Sequence, residues 1–251
     1  MRYKLLVEYE GTRYLGWQIQ PQGRTIQGEF EAALGRLTGQ AVRVAAAGRT
    51  DTGVHASGQV VSFPLERDWP PGVLQRALNA LLPHDIRVLQ VETVPDAFDP
   101  RRDAISRTYV YRIWNRSVAS PFWRRFSWHV FTPLKVAAMQ EAARALVGEH
   151  DFASFQASGC EAEHAIRRVL RSEVDQRGHL VRYEIEANAF VRHMVRNIVG
   201  TLVQVGLGER PASDLARVLA ERDRKCAGPT APAQGLCLVS VRYEAVPKAA
   251  A

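Results

Sequence analysis

Apolar and polar residues alternate over residues 3–9, the period of a half-buried strand, and the pattern then breaks in a loop punctuated by Gly and Pro. Thr25 can cap a helix with Ile26, Phe30, Ala33, Leu34 and Leu37 on one face, stopped by Gly39. Residues 42–47 read as a buried strand. A polar, Gly-bounded loop follows at 48–58, and extended structure resumes over 59–63. Leu74, Leu78, Leu81 and Leu82 then predict a helix ahead of Pro83, and Ile86, Val88 and Val91 another strand.

Residues 95–104 are irregular and charged, with Pro95 and Pro100, and the domain boundary is expected there. The second half has the same grammar. A strand is predicted at 105–114, a helix at 136–147 ended by Gly148, and a hairpin of strands near 166–175 and 179–187 turning at Gly178. A long helix at 190–206, a short one at 213–223 and a closing strand at 236–243 complete the chain. The pattern predicts an α+β protein of two halves, 1–104 and 105–251, with helices packed on a shared sheet.

Composition changes this picture little. A length of 251 residues with 46% hydrophobic and 24% charged side chains suits a packed globular protein rather than a disordered one. Charge adds more, because the formal net charge is +7 and the only lysines are Lys4, Lys135, Lys225 and Lys248. Arginine forks grip phosphate and stack on bases, so a nucleic-acid partner is one reading of the excess; the Arg- and Ala-rich usage of a GC-rich genome is the other. Cys160, Cys226 and Cys237 are odd in number and form no C-x-x-C pair, which predicts buried free thiols in a reducing cytosol. The N-terminal residues do not read as a signal peptide, and no apolar run approaches the roughly 18 residues of a membrane span. A cytoplasmic location is therefore expected.

Three segments hold candidate chemistry. The first is Gly48-Arg49-Thr50-Asp51-Thr52-Gly53-Val54-His55, which packs a carboxylate, a guanidinium and two hydroxyls between two glycines, with an imidazole just beyond. A reactive loop and a solvated turn capped by Asp51 both fit this composition. Val54 and His55 stand where a phosphate loop needs Lys and Ser/Thr. His55 lacks a partner at metal-ligand spacing, so no metal is expected. The second segment is the helix predicted at 190–206, whose pattern sets Arg192 and Arg196 one turn apart. That pair could clasp phosphates, one member could pair with a buried acid, or the face could be merely solvated. In the third, Arg107, Tyr109 and Tyr111 share one face of a strand, either as a platform for bases or as an ordinary aromatic patch. Trp114, Phe122, Trp123, Phe126 and Trp128 nearby read mostly as core or interface.

The segment Ala47-Gly48-Arg49-Thr50-Asp51-Thr52-Gly53-Val54-His55-Ala56, followed by Gln59-Val60, resembles the catalytic motif of the tRNA pseudouridine synthase A family. Further matches follow in family order along nearly the whole chain. They include Gly16-Trp17-Gln18, Arg24-Thr25-Ile26-Gln27-Gly28, Arg107-Thr108-Tyr109-Val110-Tyr111-Arg112, Gly148-Glu149-His150-Asp151-Phe152, Asn188 through Asn197, and Gln234-Gly235-Leu236. The resemblance implies the pseudouridine synthase fold, with a mixed, mostly antiparallel sheet. It also implies that Asp51 is the catalytic aspartate, that Arg196 pairs with it, and that Arg49 fills the space left by a flipped nucleotide. By the same resemblance Tyr109 stacks on the target base and Leu236 lines its pocket. The implied substrate is the anticodon arm of tRNA at uridines 38, 39 and 40. The implied enzyme is a homodimer without metal or organic cofactor. The chain departs from the family at Phe98-Asp99-Pro100-Arg101, where Phe-His-Ala-Arg is common. A non-catalytic RNA-binding protein and a sibling synthase acting at other tRNA positions are the alternatives.

Overall fold

A computed structural model describes residues 1–159 and 163–244. It contains ten strands, five α-helices and several 3-10 turns among the described residues. The chain runs β1 (Arg2–Tyr9), α1 (Ile26–Thr38), β2 (Ala45–Ala46), β3 (His55–Pro64), α2 (Pro71–Leu81), β4 (Ile86–Val94) and β5 (Ala104–Asn115). It continues through β6 (Trp128–Val130), α3 (Val136–Arg144), β7 (Gly148–Asp151), β8 (Ile166–Arg177), β9 (Leu180–Ala187), α4 (Met194–Leu207), α5 (Asp214–Glu221) and β10 (Leu236–Tyr243). The strands form one sheet in the order β4-β1-β3-β10-β5-β9-β8-β7, with β2 on β3 and β6 on β5. β1 pairs antiparallel with β3 and β4, and β8 pairs antiparallel with β7 and β9, whereas β6 runs parallel to β5. This is the mixed α+β architecture that the sequence predicts.

Two compact units divide the chain. The first is Met1–Arg107 with the C-terminal segment from Val239, and the second is Thr108–Leu238. In the first, α1 lays Ile26, Phe30, Ala33 and Leu34 into the core, and Tyr3, Leu5 and Val7 of β1 are fully buried. Each of the larger aliphatic side chains and Phe30, withdrawn from water, stabilises the fold by about 1.5–3 kcal/mol. The Thr25 hydroxyl accepts the Gly28 amide at 3.2 Å, the cap that the sequence predicts, and Gly39 closes the helix. In the second unit, α4 is buried along most of its length, and Ile198, Val199 and Leu202 are fully buried.

Several local expectations are corrected. The strand expected at 42–47 is paired only over β2, and β3 begins at His55 rather than after residue 58. β3 starts early because the polar-looking His55 is itself buried, its Nδ1 accepting the Gly11 amide at 3.1 Å. The helix expected from 190 begins at Met194, because His193 takes a left-handed conformation at φ 61° that no helix continues through. The helix expected to run to 147 ends at Arg144, and Gly148 opens β7 instead. Cys237 is buried and in no disulfide, whereas Cys226 is only half-buried; Cys160 lies outside the described residues.

Candidate active site

The loop between β2 and β3 holds Asp51 half-buried and Arg49 exposed. It is held at nearly every residue. The Ala47 amide donates to the Val60 carbonyl at 2.8 Å, and the Gly48 carbonyl accepts Gln59 Nε2 at 2.8 Å. Thr50 is buried; its hydroxyl meets the Tyr9 hydroxyl at 2.8 Å and its carbonyl accepts the Trp17 amide at 3.0 Å. The Asp51 carbonyl accepts the Val54 amide at 3.1 Å, closing a turn, and the Gly53 amide reaches the Tyr14 carbonyl at 3.3 Å. Gly16 stands at φ 89°, and a Cβ there would lie 2.6 Å from the Thr50 carbonyl oxygen. Only glycine lets segment 14–17 come this close. The carboxylate thus sits on a backbone fixed from both sides, the condition for aiming a reactive group.

Tyr14, which braces that segment, donates its hydroxyl to Asp85 at 2.5 Å. Burial, followed by the hydrogen bond to Asp85, pushes its phenol well above the usual range. The side chain is therefore a permanent donor rather than a titrating group.

In the second unit, the segment after Arg224 wraps over α4. Asn197 of α4 donates Nδ2 to the Phe155 carbonyl at 2.8 Å, and its Oδ1 accepts the Thr230 hydroxyl at 2.6 Å and the Arg224 guanidinium at 3.0 Å. Gly200 permits the contact, since a Cβ there would fall 1.7 Å from the Pro229 carbonyl oxygen. Arg196 donates Nε to the Ala231 carbonyl at 2.8 Å and accepts the Ala231 amide at 3.1 Å through its own carbonyl. Tyr111, fully buried, donates its hydroxyl to the Pro232 carbonyl at 2.7 Å. Desolvation raises its phenol far above the ordinary range, partly opposed by the Arg196 charge. Ala231 and Pro232 therefore hold Arg196 and Tyr111 on one segment, which runs on to the buried Leu236.

Tyr109 is buried, its ring meeting Phe190 edge-on at 4.9 Å between centroids and 77° between planes. The face of Arg107, Tyr109 and Tyr111, which fits either a base platform or an ordinary aromatic patch in the sequence, is buried. Arg107 and Tyr111 are both turned into the protein and hydrogen-bonded to backbone carbonyls. Arg192 is exposed and lies outside α4, donating to the Ser158 carbonyl at 3.2 Å, so it does not stack one helical turn from Arg196. Among the described residues, no group of three His, Cys, Asp or Glu side chains could hold a metal ion. The aromatic residues at and beyond the end of β5 divide: Trp114 stacks on Trp123 at 6.2 Å, whereas Phe122 is 87% exposed.

The first unit thus presents a half-buried carboxylate on an ordered loop, and the second a half-buried arginine near the buried Tyr111. Comparison with known proteins gives the family. A family model described as tRNA pseudouridine synthase matches residues 5–101 and 142–244. A curated tRNA pseudouridine synthase A of Myxococcus xanthus is 51% identical over 249 residues, covering 99% of this chain and 94% of that protein. The protein of the same name from Geotalea daltonii is 46% identical, covering 96% and 98%. That of Moorella thermoacetica is 47% identical, also covering 96% and 98%. A solved Cbf5-Nop10-Gar1 complex matches at 12% identity and a TM-score of 0.35 over 81% of this chain and 53% of that one, a likeness too slight to argue from. The chain belongs to the tRNA pseudouridine synthase family. It is an isomerase that converts uridine in tRNA to pseudouridine.

Proposed function

We propose that Asp51 is the catalytic carboxylate of this isomerisation and that its substrate is the anticodon arm of tRNA at uridines 38, 39 and 40. The observation that carries the reading is the Asp51 loop itself, half-buried and hydrogen-bonded on both flanks. The reaction breaks the bond from C1′ to N1 of uracil, turns the detached base, joins C5 to C1′, releases the proton from C5 and leaves one on N1. Atoms and electrons balance without an oxidant, a reductant or activated water. What the site must supply is a carboxylate to act on the sugar or the base, extrusion of the nucleotide, and a closed pocket for the loose uracil.

On this reading Arg196 pairs with Asp51, Arg49 takes the place of the extruded nucleotide, Tyr109 stacks on the base and Leu236 closes the pocket. Arg192 grips a phosphate of the substrate. The edge-on support of Tyr109 by Phe190 suits a ring that must hold one orientation. The catalytic loop falls to the half 1–104, and the tyrosine strand and basic helix to the half 105–251. The reading includes a homodimer in the cytoplasm that needs no metal or organic cofactor. No helix among the described residues is long and apolar enough to cross a membrane.

The test is to incubate unmodified tRNA transcripts with the enzyme and map pseudouridine by chemical labelling. Modification confined to positions 38–40 is the expected result. Pseudouridine elsewhere in the tRNA, with the anticodon arm untouched, would overturn the substrate assignment.

A further inference from the structure

Arg107 lies at the end of the first unit, is 8% exposed, and spends its guanidinium on the backbone. Its Nε and one terminal nitrogen both donate to the Ala47 carbonyl, at 3.2 and 3.0 Å. The same terminal nitrogen reaches the Arg101 carbonyl at 2.5 Å, and the other reaches the Ala104 carbonyl at 3.2 Å. Ala47 immediately precedes the Asp51 loop. One rigid fork therefore ties the root of that loop to the turn at 99–104.

That turn is itself locked. Asp99 accepts the Arg101 and Arg102 amides at 2.8 and 2.9 Å, and its own amide donates to Asp103 at 2.9 Å. The Tyr243 hydroxyl donates to the Pro100 carbonyl at 2.7 Å. The Asp99-Pro100 pair, where this chain departs from the common family pattern, thus builds an ordered anchor rather than a loose end.

We propose that Arg107 is a positioning residue for Asp51, acting through Ala47, with the Asp99 turn as its fixed anchor. The alternative use of a conspicuous arginine in an RNA enzyme is a phosphate contact, but these hydrogen bonds and this burial commit the guanidinium to protein carbonyls. A lysine in its place keeps the charge but offers a point donor on a flexible stem, which cannot span three carbonyls. The proposal rests on the assignment of Asp51 as the reacting carboxylate.

The experiment is single-turnover pseudouridine formation with Arg107→Lys at saturating tRNA, together with tRNA affinity across a salt series. The expected result is a rate lowered by roughly 10- to 100-fold, the cost of a slightly misplaced reactive group. The tRNA Kd stays within two-fold and the slope of log Kd against log salt is unchanged. An unaltered rate overturns the proposal, and so does a weaker affinity with a shallower salt slope, the mark of a lost phosphate contact. If Arg107→Lys does not fold, Asp99→Ala decides in its place: a several-fold slower step at unchanged affinity supports the anchor, and an unchanged rate overturns it. Asp51→Asn run in parallel reads the Asp51 assignment from a different variant, so the two ideas fail separately.

Discussion

At the residue scale, Asp51 and Arg49 occupy a loop whose backbone and side chains are held by Tyr9, Gln59 and Arg107. Asp51 and Arg49 stand out because a carboxylate and a guanidinium between two glycines have little use in a short connection. Tyr9, Gln59 and Arg107, which fix that loop, give no such signal. Their roles depend on contacts between residues 11 to 60 positions apart, which periodicity does not report. Alternation sets Arg107, Tyr109 and Tyr111 on one face but does not report whether that face is exposed, and β5 is buried over most of its length. Tyr109 gives the prediction of this scale. Tyr109→Leu keeps apolar bulk but removes the ring, so single-turnover formation should slow by about 10-fold or more, while tRNA affinity, dominated by phosphate contacts, stays within about two-fold. A filter-binding titration beside the rate measurement checks it. An affinity loss with an unchanged rate would make Tyr109 a docking residue.

At the element scale, long periodic segments are legible in the sequence. α1 and α2, and the β8–β9 hairpin with its turn at Gly178, lie close to where period and cap chemistry put them. Short strands such as β6 and β7 carry too few residues to show a period, and their pairing is decided by neighbours distant in sequence. α4 starts four residues later than its pattern predicts, because a single left-handed residue, His193, leaves no mark in the hydrophobic pattern. The connection between β1 and α1 braces the Asp51 loop through backbone contacts at Gly16 and Trp17. Gly16→Ala should therefore lower stability by about 1–3 kcal/mol through strain at its positive φ and the clash with Thr50. It should lower the turnover rate as well, in the fraction that remains folded. Thermal melts and initial rates of the purified variant test both, and a wild-type melting temperature would show that the approach is not needed.

At the scale of the whole molecule, the net charge of +7 suits a polyanionic substrate, and salt-sensitive binding is its expected signature. The acid response of the fold has an identifiable local contributor. Hydrogen bonds from Arg217 and Arg210, at 2.7 and 2.9 Å, hold the Asp214 carboxyl below its ordinary range at the start of α5, against the opposing effect of burial. A depressed folded-state value means that the unfolded chain takes up the proton first. The contribution is therefore complete above the ordinary aspartate range and is lost as pH falls through the folded-state value. Asp214→Asn should flatten the acid side of the stability curve while costing stability near neutral pH. Urea titrations of both proteins between pH 3 and pH 7 would show the two curves converging toward acid, and parallel curves would contradict the linkage.

The most direct test of the central claim is tritium release from tRNA labelled at C5 of uridine, measured in a single turnover for the wild type and Asp51→Asn side by side. Asp51 offers a carboxylate on a loop held at Ala47, Gly48, Thr50 and Gly53, and the substitution removes the charge while leaving those bonds in place. The account predicts stoichiometric release by the wild type and none above background by Asp51→Asn, with tRNA affinity preserved within a few-fold. Release by Asp51→Asn at a rate near that of the wild type would contradict it.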